Sequence, residues 1–303
     1  MVNPTAGSEQ PWTEIPARLD VAVIGTGRVG SVLGAALRRV GHKVVACTAI
    51  SDISKLRAES LLAGVPIKSL TDAVKDCDLV LLTVPDDALI SLVNGLAQTH
   101  SISPGTFVVH TSGRFSDEVL DPLTVQGCLP LALHPVMTFT GTSVDLNRLT
   151  ACPFGITAPE QLRPVAEALV VEMGADPVWV PRESRALYHA ALSYGANNMM
   201  TLVNQTIDLL AQAGIENPTD LVTPLFAAAL DNALRDGDEA TTGPVVRADV
   251  ATVRQHLLAL QANSPQVLTS YRALARLTAE RALDSGQLSP SQAEQLLEVL
   301  ADE

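Results

Sequence analysis

The chain has little positive charge and no long apolar run. Twenty lysines and arginines stand against 33 aspartates and glutamates, which gives a formal net charge of −13 at pH 7. This negative field repels phosphate backbones and anionic membrane surfaces, so neither nucleic acid nor membrane is expected as a partner. No apolar run approaches the roughly 20 residues that span a bilayer. With 47% hydrophobic and 17% charged residues, the chain is not expected to be disordered.

Cysteines are also few. Cys47, Cys77, Cys128 and Cys152 are far apart, and neither a Cys-x-x-Cys pair nor a histidine at zinc-finger spacing accompanies them. We expect small core residues in a reducing compartment, with no disulfide and no bound metal. The N-terminus lacks a basic segment followed by an apolar one, the mark of a secretory signal, so the expected location is cytoplasmic.

The distribution of apolar residues predicts two domains in the 303 residues. After a flexible N-terminal extension (residues 1–18), seven short apolar runs alternate with helical segments up to residue 183, which is typical of a doubly wound, mainly parallel sheet. The runs are residues 21–24, 44–47, 79–83, 107–110, 129–133, 154–157 and 178–180. Residues 184–303 show only helical periodicity, so the fold class is α/β followed by an all-α domain. Ser291, just before the last helical segment, is expected to be its N-cap.

A glycine-rich motif follows the first predicted strand and begins a helix. Gly25-Thr26-Gly27-Arg28-Val29-Gly30 has the Gly-x-Gly-x-x-Gly spacing of dinucleotide-binding turns. The first glycine permits the tight turn, the second lets backbone N–H groups approach a pyrophosphate, and the third lets helix and sheet pack closely. The sequence therefore predicts a Rossmann domain over residues 19–183.

The end of the second strand favours NADP(H) over NAD. A site specific for NAD places an acidic residue here to hold the ribose hydroxyls, whereas this chain has Thr48 followed by Ser51. Their hydroxyls, with Lys55 or Arg57, are candidates to receive a 2′-phosphate, although Asp52 opposes this.

Three later loops follow predicted strands and are expected to converge on the nicotinamide. They carry Val84-Pro85-Asp86, His110-Thr111-Ser112-Gly113 and His134-Pro135. Asp86 has the alternative role of a helix N-cap, and Ser112 that of an ordinary turn residue. His134 ends a strand and is favoured as a functional histidine over a core imidazole. His110 is expected to be structural, and His42 and His100 to lie on the surface or in loops.

Polar residues recur on one face of the first helix of the second domain. His189, Ser193 and Asn197 are spaced four residues apart on an otherwise apolar helix, so we expect them to face the nicotinamide or to form a buried hydrogen-bond network. Further on, a Gly243-Pro244 turn precedes Arg247 and Asp249. Arg247 is a candidate to hold a substrate carboxylate, with Asp249 orienting it. The alternative is an interdomain salt bridge of Arg247 and an N-cap role for Asp249.

Lysine is absent from the helical half. All four lysines, Lys43, Lys55, Lys68 and Lys75, lie in the first half of the chain, so the helical half cannot contribute a catalytic lysine. Histidine is then the natural proton donor, because its reference pKa of about 6.5 lies near working pH.

Together these motifs resemble a family of Rossmann-like proteins with a C-terminal helical domain of formerly unknown function, which includes an alternative type of ketopantoate reductase. The similarity runs from about residue 19 to 283 and extends distantly to the 6-phosphogluconate dehydrogenase-type superfamily. Those proteins usually dimerise through the helical domain, which implies a homodimer. Their usual catalytic lysine is replaced here by Tyr194, four residues before Asn198. The His134-Pro135 loop is similar to that of prephenate dehydrogenases.

The expected function is an NADP(H)-dependent reduction of a small 2-oxo acid, with 2-dehydropantoate as the leading substrate. In this hypothesis His189 or His134 donates the proton, Asn197 and Ser112 polarise the carbonyl oxygen, and Arg247 binds the carboxylate. A related imine reductase, an alcohol dehydrogenase and a non-catalytic NADPH sensor are the alternatives.

Overall fold

The computed structural model describes residues 18–301. The predicted N-terminal extension therefore lies outside the described residues, apart from Arg18. The chain divides into two compact units between Ser193 and Tyr194, and each unit is described by itself. The domain boundary predicted between residues 183 and 184 stays a prediction.

The first unit is built on a seven-stranded sheet, as predicted. Its strands are β1 (Asp20–Ile24), β2 (Lys43–Thr48), β3 (Leu79–Leu82), β4 (Phe107–His110), β5 (Leu129–Pro135), β6 (Pro153–Thr157) and β7 (Asp176–Trp179), in the spatial order 2-1-3-4-5-6-7. All neighbours are parallel except β5 and β6, which are antiparallel. The segment between β5 and β6 holds only a five-residue helix, too short for the crossover that parallel pairing needs.

Helices cover both faces of this sheet. They are α1 (Arg28–Arg39), α2 (Asp52–Leu61), α3 (Leu70–Ala73), α4 (Asp86–Gln98), α5 (Asp121–Thr124), α6 (Val144–Arg148) and α7 (Arg163–Glu172). Successive residues of β1 belong to different cores, with Val21 and Val23 in one and Ala22 and Ile24 in the other. Because side chains alternate along a strand, one strand supplies two cores, which is the doubly wound arrangement that the sequence predicts.

The second unit is helical. Helix α8 (Arg185–Gln212) begins in the first unit and continues into the second. The other helices of the second unit are α9 (Pro218–Asp236), α10 (Val250–Asn263), α11 (Pro265–Asp284) and α12 (Pro290–Val299). A single core joins α10, α11 and α12, with Val253, Ala279 and Leu296 fully buried. In α9, by contrast, only Val222 is buried. None of the helices described in either unit is long and apolar enough to cross a membrane.

Two local predictions are corrected. Ser291 does not cap α12, because Ser289 occupies the cap and forms a reciprocal capping box with Gln292. His42 is not on the surface: it is buried, its Nδ1 accepts the Leu19 N–H at 3.1 Å, and its Nε2 lies 2.8 Å from Glu172. Its predicted loop position is confirmed, since His42 lies in the turn between α1 and β2, but this turn directs the side chain inward.

All four cysteines are buried and free. Burial raises the pKa of each thiol, and for Cys77 it raises the pKa to about 11, with support from Asp78 and Asp20. Burial disfavours the thiolate, so these groups are weak nucleophiles.

Candidate active site

The glycine turn between β1 and α1 has the geometry that its motif requires. Gly25 has a φ of +94°, which favours glycine, and a Cβ there would lie 3.0 Å from the carbonyl oxygen of Thr83. A Cβ on Gly30 would collide with Thr83 Oγ1 and Gly25 O, so helix and sheet approach closely only because residue 30 is glycine. Gly27, in contrast, has nothing within 4 Å of a Cβ and leaves the turn open on one side.

Threonine hydroxyls hold this turn in place. Thr83, at the end of β3, donates from Oγ1 to Gly25 O at 2.6 Å. Thr48 Oγ1 accepts the Gly25 N–H at 2.9 Å, and the buried Thr26 donates to Thr48 O and Ser54 O. The role of Thr83 was missed in the sequence because a threonine ending a strand has no distinctive spacing. Thr48 is thus occupied in shaping the turn, and its predicted role towards a 2′-phosphate stays a prediction.

Two arginines lie beside the turn. Arg28 is the first residue of α1, Arg57 is on α2, and a Cβ on Gly141 would be 2.7 Å from Arg57 Nε and 3.1 Å from Arg28 Cγ. Neither arginine has a hydrogen bond or ion pair within residues 18–301. The other candidates are engaged: Ser51 caps α2 by accepting the Ser54 N–H, and Lys55 pairs with Asp52 at 3.1 Å. The two arginines beside Gly141 are therefore free to bind an anion.

The loops after β3 and β4 meet beside the turn. Val84 Cγ1 lies 3.4 Å from the Cβ position of Gly25, and Asp86 Oδ2 lies 3.8 Å from Arg114 Nε. Asp86 is not the N-cap of α4: Pro85 holds that position and Asp86 is the first helical residue. The proline fixes the extended backbone that an N-cap needs, which moves the helix start by one residue.

His110 and Ser112 fix the loop after β4 from inside. His110 is fully buried, its Nδ1 accepts the Ser112 N–H at 3.2 Å, and its Nε2 lies 3.0 Å from Ser116 O. Burial lowers its pKa to about 3, so it is neutral and donates to Ser116 O. Ser112 is also buried, and its Oγ accepts the Phe115 N–H at 3.4 Å. This geometry favours the turn role for Ser112, and its contact with a substrate stays a prediction.

His134 and His189 both lie against Gly113. Their ring centroids are 6.1 Å apart with perpendicular planes, and a Cβ on Gly113 would be 2.6 Å from His189 Cδ2 and 2.9 Å from His134 Nε2. His134 Nδ1 is hydrogen-bonded to Tyr188 Oη at 2.8 Å. Burial lowers the pKa of His134 to about 4, with further contributions from the charges of Arg185 and His189. The structure thus brings the two candidate histidines together on residues of the first unit.

Arg185, which sequence analysis missed, anchors this cluster. It is 1% exposed, and its guanidinium donates to Thr157 Oγ1, Ala132 O and Gly155 O, and at 3.4 to 3.5 Å to Ser112 O and Gly113 O. These acceptors come from β5, β6 and the loop after β4. All are neutral, and burial lowers the arginine's pKa to about 10, which still leaves it charged at pH 7. An arginine at a helix start reads as a surface residue, so no sequence signal marked it.

The comparisons with known proteins agree with this architecture. Residues 1–135 match the family model of the Rossmann-like domain, and residues 152–278 match that of a domain of unknown function, DUF2520. The chain joins a Rossmann-like domain to a DUF2520 domain. The match confirms the resemblance drawn from its motifs. The comparison with curated proteins gives no match.

Solved structures share the fold at low identity. An NADP oxidoreductase candidate from Bacteroides fragilis, BF3122, superposes with a TM-score of 0.71 at 21% identity, covering 87% of this chain and 98% of its own. An imine reductase from Pseudomonas sp. gives 0.64 at 18% identity, with 94% and 100% covered. A variant imine reductase from Myxococcus stipitatus, solved in complex with NAD+, gives 0.61 at 18% identity, with 93% and 100% covered.

The DUF2520 match contains residues of both units. Arg185, Tyr188 and His189 belong to the first unit and join the cluster described above. Asn197 and Arg247 belong to the second unit and are exposed, and their predicted roles stay predictions. Asp249 is the N-cap of α10 and accepts the Thr252 N–H at 3.0 Å, which confirms its predicted capping role. Within residues 18–301, no group of three or more His, Cys, Asp or Glu side chains could hold a metal ion.

Proposed function

We propose that the protein is an NADP(H)-dependent oxidoreductase that reduces a small 2-oxo acid, with 2-dehydropantoate as the first substrate to test. The observation that carries this proposal is that two features, a glycine turn and a pair of histidines, lie at the same edge of the sheet. The open glycine turn follows β1, and Gly113, which contacts the rings of His134 near the end of β5 and His189 on α8, follows β4. In parallel sheets this edge is where cofactor and substrate meet.

The residues at the turn fit a dinucleotide. The first turn of α1 contains no acidic residue, and its N-cap, Gly27, supplies no side-chain cap, so the helix N-terminus can attract an anion. The M. stipitatus relative is described in complex with NAD+, which supports the same use of this fold here. A bound nicotinamide supplies the hydride. Gly25, Thr26 and Gly30 would keep the turn in shape, and Gly27 would allow the pyrophosphate to approach.

Arg28 and Arg57 support NADP(H) rather than NAD(H). The 2′-phosphate of NADP(H) needs cationic donors at the end of β2, and these two arginines border Gly141 without other partners in the part of the chain described. Arg57 is already a sequence-predicted candidate beside Thr48 and Ser51, and the proposal adds Arg28 to it.

The electrostatics of the histidine pair favour an anionic substrate. The charges of Arg185 and His189 act on His134. Asp117 is the acid whose charge acts on Arg185, and this carboxylate is already paired with Arg182 at 2.7 Å. A carboxylate of a 2-oxo acid is stabilised in such a field, whereas a protonated imine is repelled. His189 or His134 would supply the proton to the carbonyl oxygen.

Imine reduction is the second candidate. It is supported by the names of two relatives of the same fold, and it would use the same turn and histidines. The field of Arg185 argues against it, since a protonated imine carries a positive charge.

One titration series tests both candidates. NADPH fluorescence and absorbance are followed with the full-length protein alone, then with 2-dehydropantoate or with 1-pyrroline. Binding followed by oxidation with 2-dehydropantoate supports the proposal, and oxidation with 1-pyrroline alone replaces it by the second candidate. Binding without oxidation by either compound would contradict both candidates, and no binding of NADPH or NADH would contradict the cofactor assignment.

Two glycine variants provide a matched control. Gly27→Ala meets open space, so its melting temperature should equal the wild-type value while NADPH affinity falls about tenfold or more. Gly30→Ala collides with Thr83 and Gly25, so its melting temperature should fall as well. Unchanged NADPH affinity in Gly27→Ala would contradict the placement of the cofactor at this turn.

We also propose a homodimer through the helical unit. On α9, Leu221, Leu225, Leu230 and Leu234 are 47 to 81% exposed, and Val222 is the only buried residue among its 19. A helix with so little of its apolar surface buried gains stability from a second surface. A second copy of the chain is the occupant that the resemblance implies.

A further inference from the structure

His134 and His189 differ in their hydrogen bonds, although both rings touch Gly113. His134 Nδ1 is bonded to Tyr188 Oη at 2.8 Å, and its Nε2 has no partner among residues 18–301. Neither ring nitrogen of His189 has a partner in that range. One histidine is therefore held through one nitrogen, whereas the other is free at both.

Everything that faces His134 keeps it neutral. The groups are Arg185 and His189 on α8, Tyr188 on the same helix, and His110 on β4. Burial, Arg185 and His189 all lower the pKa of His134, to about 4, and no carboxylate acts against them. Burial also raises the pKa of Tyr188, so its phenol stays protonated at pH 7. The pair is therefore a neutral imidazole and a neutral phenol.

The position of Tyr188 sets the direction of the bond. Tyr188 Oη lies against Gly155, where any side chain would collide with it. Tyr188 Oη has no other hydrogen-bond acceptor among residues 18–301, so the acceptor for the phenol proton is Nδ1 of His134, at 2.8 Å. A neutral imidazole that accepts at Nδ1 carries its proton on Nε2, the atom beside Gly113.

We propose that Tyr188 is a positioning residue that fixes His134 as the Nε2–H tautomer, so that His134 is a neutral hydrogen-bond donor to the substrate oxygen and His189 is the proton donor. This inference rests on the proposed function. The carbonyl carbon gains a C–H bond as it accepts the hydride, and the π electrons of C=O move to oxygen. That oxygen takes a proton from a ring nitrogen of His189, which afterwards regains a proton from water. The carbonyl is reduced by two electrons at the expense of the dihydronicotinamide.

The tautomer is tested without cofactor or substrate. Correlation spectra of the 15N-labelled full-length protein show which ring nitrogen carries hydrogen, and His134→Gln assigns the signal by its loss. Between about pH 8 and pH 5 we expect His134 to stay neutral with hydrogen on Nε2. In Tyr188→Phe we expect a mixture of tautomers. A hydrogen on Nδ1, an imidazolium at pH 7, or an unchanged spectrum in Tyr188→Phe would overturn the inference.

The roles are tested by turnover of 2-dehydropantoate with NADPH. Glutamine places a neutral N–H donor near the position of Nε2 but cannot transfer a proton. His134→Gln should therefore retain kcat within about tenfold, and His189→Gln should lose about a hundredfold or more, both with wild-type NADPH affinity and melting temperature. The reverse order would overturn the assignment. Absence of wild-type turnover would refute the proposed function instead, and the tautomer spectra would still decide the role of Tyr188.

Discussion

The two units differ in which side chains they bury. In the first unit even a charged guanidinium, that of Arg185, is buried, and all its N–H groups are matched to acceptors. In the second unit, by contrast, even apolar side chains, the leucines of α9, remain exposed. The first unit thus has a site whose histidines and supporting groups lie within it, whereas the second has an apolar surface that its own residues do not cover. The candidate catalytic groups thus belong to the first unit, and the surface proposed for dimerisation belongs to the second.

Replacement of arginine by methionine in each unit should show the largest contrast. Arg185→Met leaves four carbonyl oxygens and a hydroxyl without their donor, so the free energy of unfolding should fall by at least about 3 kcal/mol. Arg235→Met removes ion pairs from a side chain that is 61% exposed and should cost less than about 1 kcal/mol. Urea unfolding measures both. Equal losses would show that the hydrogen bonds of Arg185 add little.

Charged residues on α9 should separate association from folding. Leu225→Glu and Leu234→Glu should weaken the proposed dimer by about 2 kcal/mol each or more, because a leucine side chain loses its burial. Each monomer should keep its helical content, since both side chains are exposed within the chain. Sedimentation over a concentration series measures the dissociation constant. A wild-type monomer at all concentrations, or a dimer unaffected by both changes, would contradict the interface.

Acid should destabilise the first unit through its buried histidines. His134 and His110 have lowered pKa values in the folded protein, about 4 and about 3, so the unfolded chain binds more protons below its own value near 6.5. Stability should therefore fall as pH decreases from about 6.5 towards 4, at up to about 1.4 kcal/mol per pH unit for each histidine. Urea midpoints across this range test it. The slope should be shallower in His134→Gln, and an equal slope would contradict the assignment.

The smallest expected effect concerns cofactor preference. Arg57→Ala should weaken NADPH binding by about fivefold to tenfold and leave NADH binding unchanged, because only the 2′-phosphate loses a partner. Lys55→Ala, on the same helix but paired with Asp52, is the matched control and should change neither affinity. Fluorescence titration gives both constants. Equal losses for the two cofactors would place Arg57 away from the 2′-phosphate.

The sequence predicts the framework well because its signals are local. A strand buried on both faces must be apolar throughout, and a turn that needs a positive φ at Gly25 leaves a glycine in the sequence. The same logic identified Asp249 as an N-cap. It failed at the boundaries that neighbours decide: a proline displaced Asp86 from the cap of α4, and Ser289 rather than Ser291 caps the last helix.

The candidate site was predicted only in part, because its decisive contacts join distant residues. His134 and His189 were both chosen from their local context, but nothing local reveals that both lie against Gly113. Arg185 and Thr83 act through carbonyl oxygens that every residue possesses, so neither leaves a pattern. Side chains that donate hydrogen bonds to backbone carbonyl oxygens are therefore the part of a site that a single sequence does not reveal.

The burial of the four thiols makes the protein convenient for spectroscopic labelling. With their pKa values raised, Cys47, Cys77, Cys128 and Cys152 react slowly with maleimides at neutral pH. A single introduced thiol outside the proposed interface, as in Val125→Cys where the native side chain is 84% exposed, would thus carry a fluorophore or spin label without removal of any native cysteine. Distances between copies of the chain could then be measured directly in an otherwise wild-type protein.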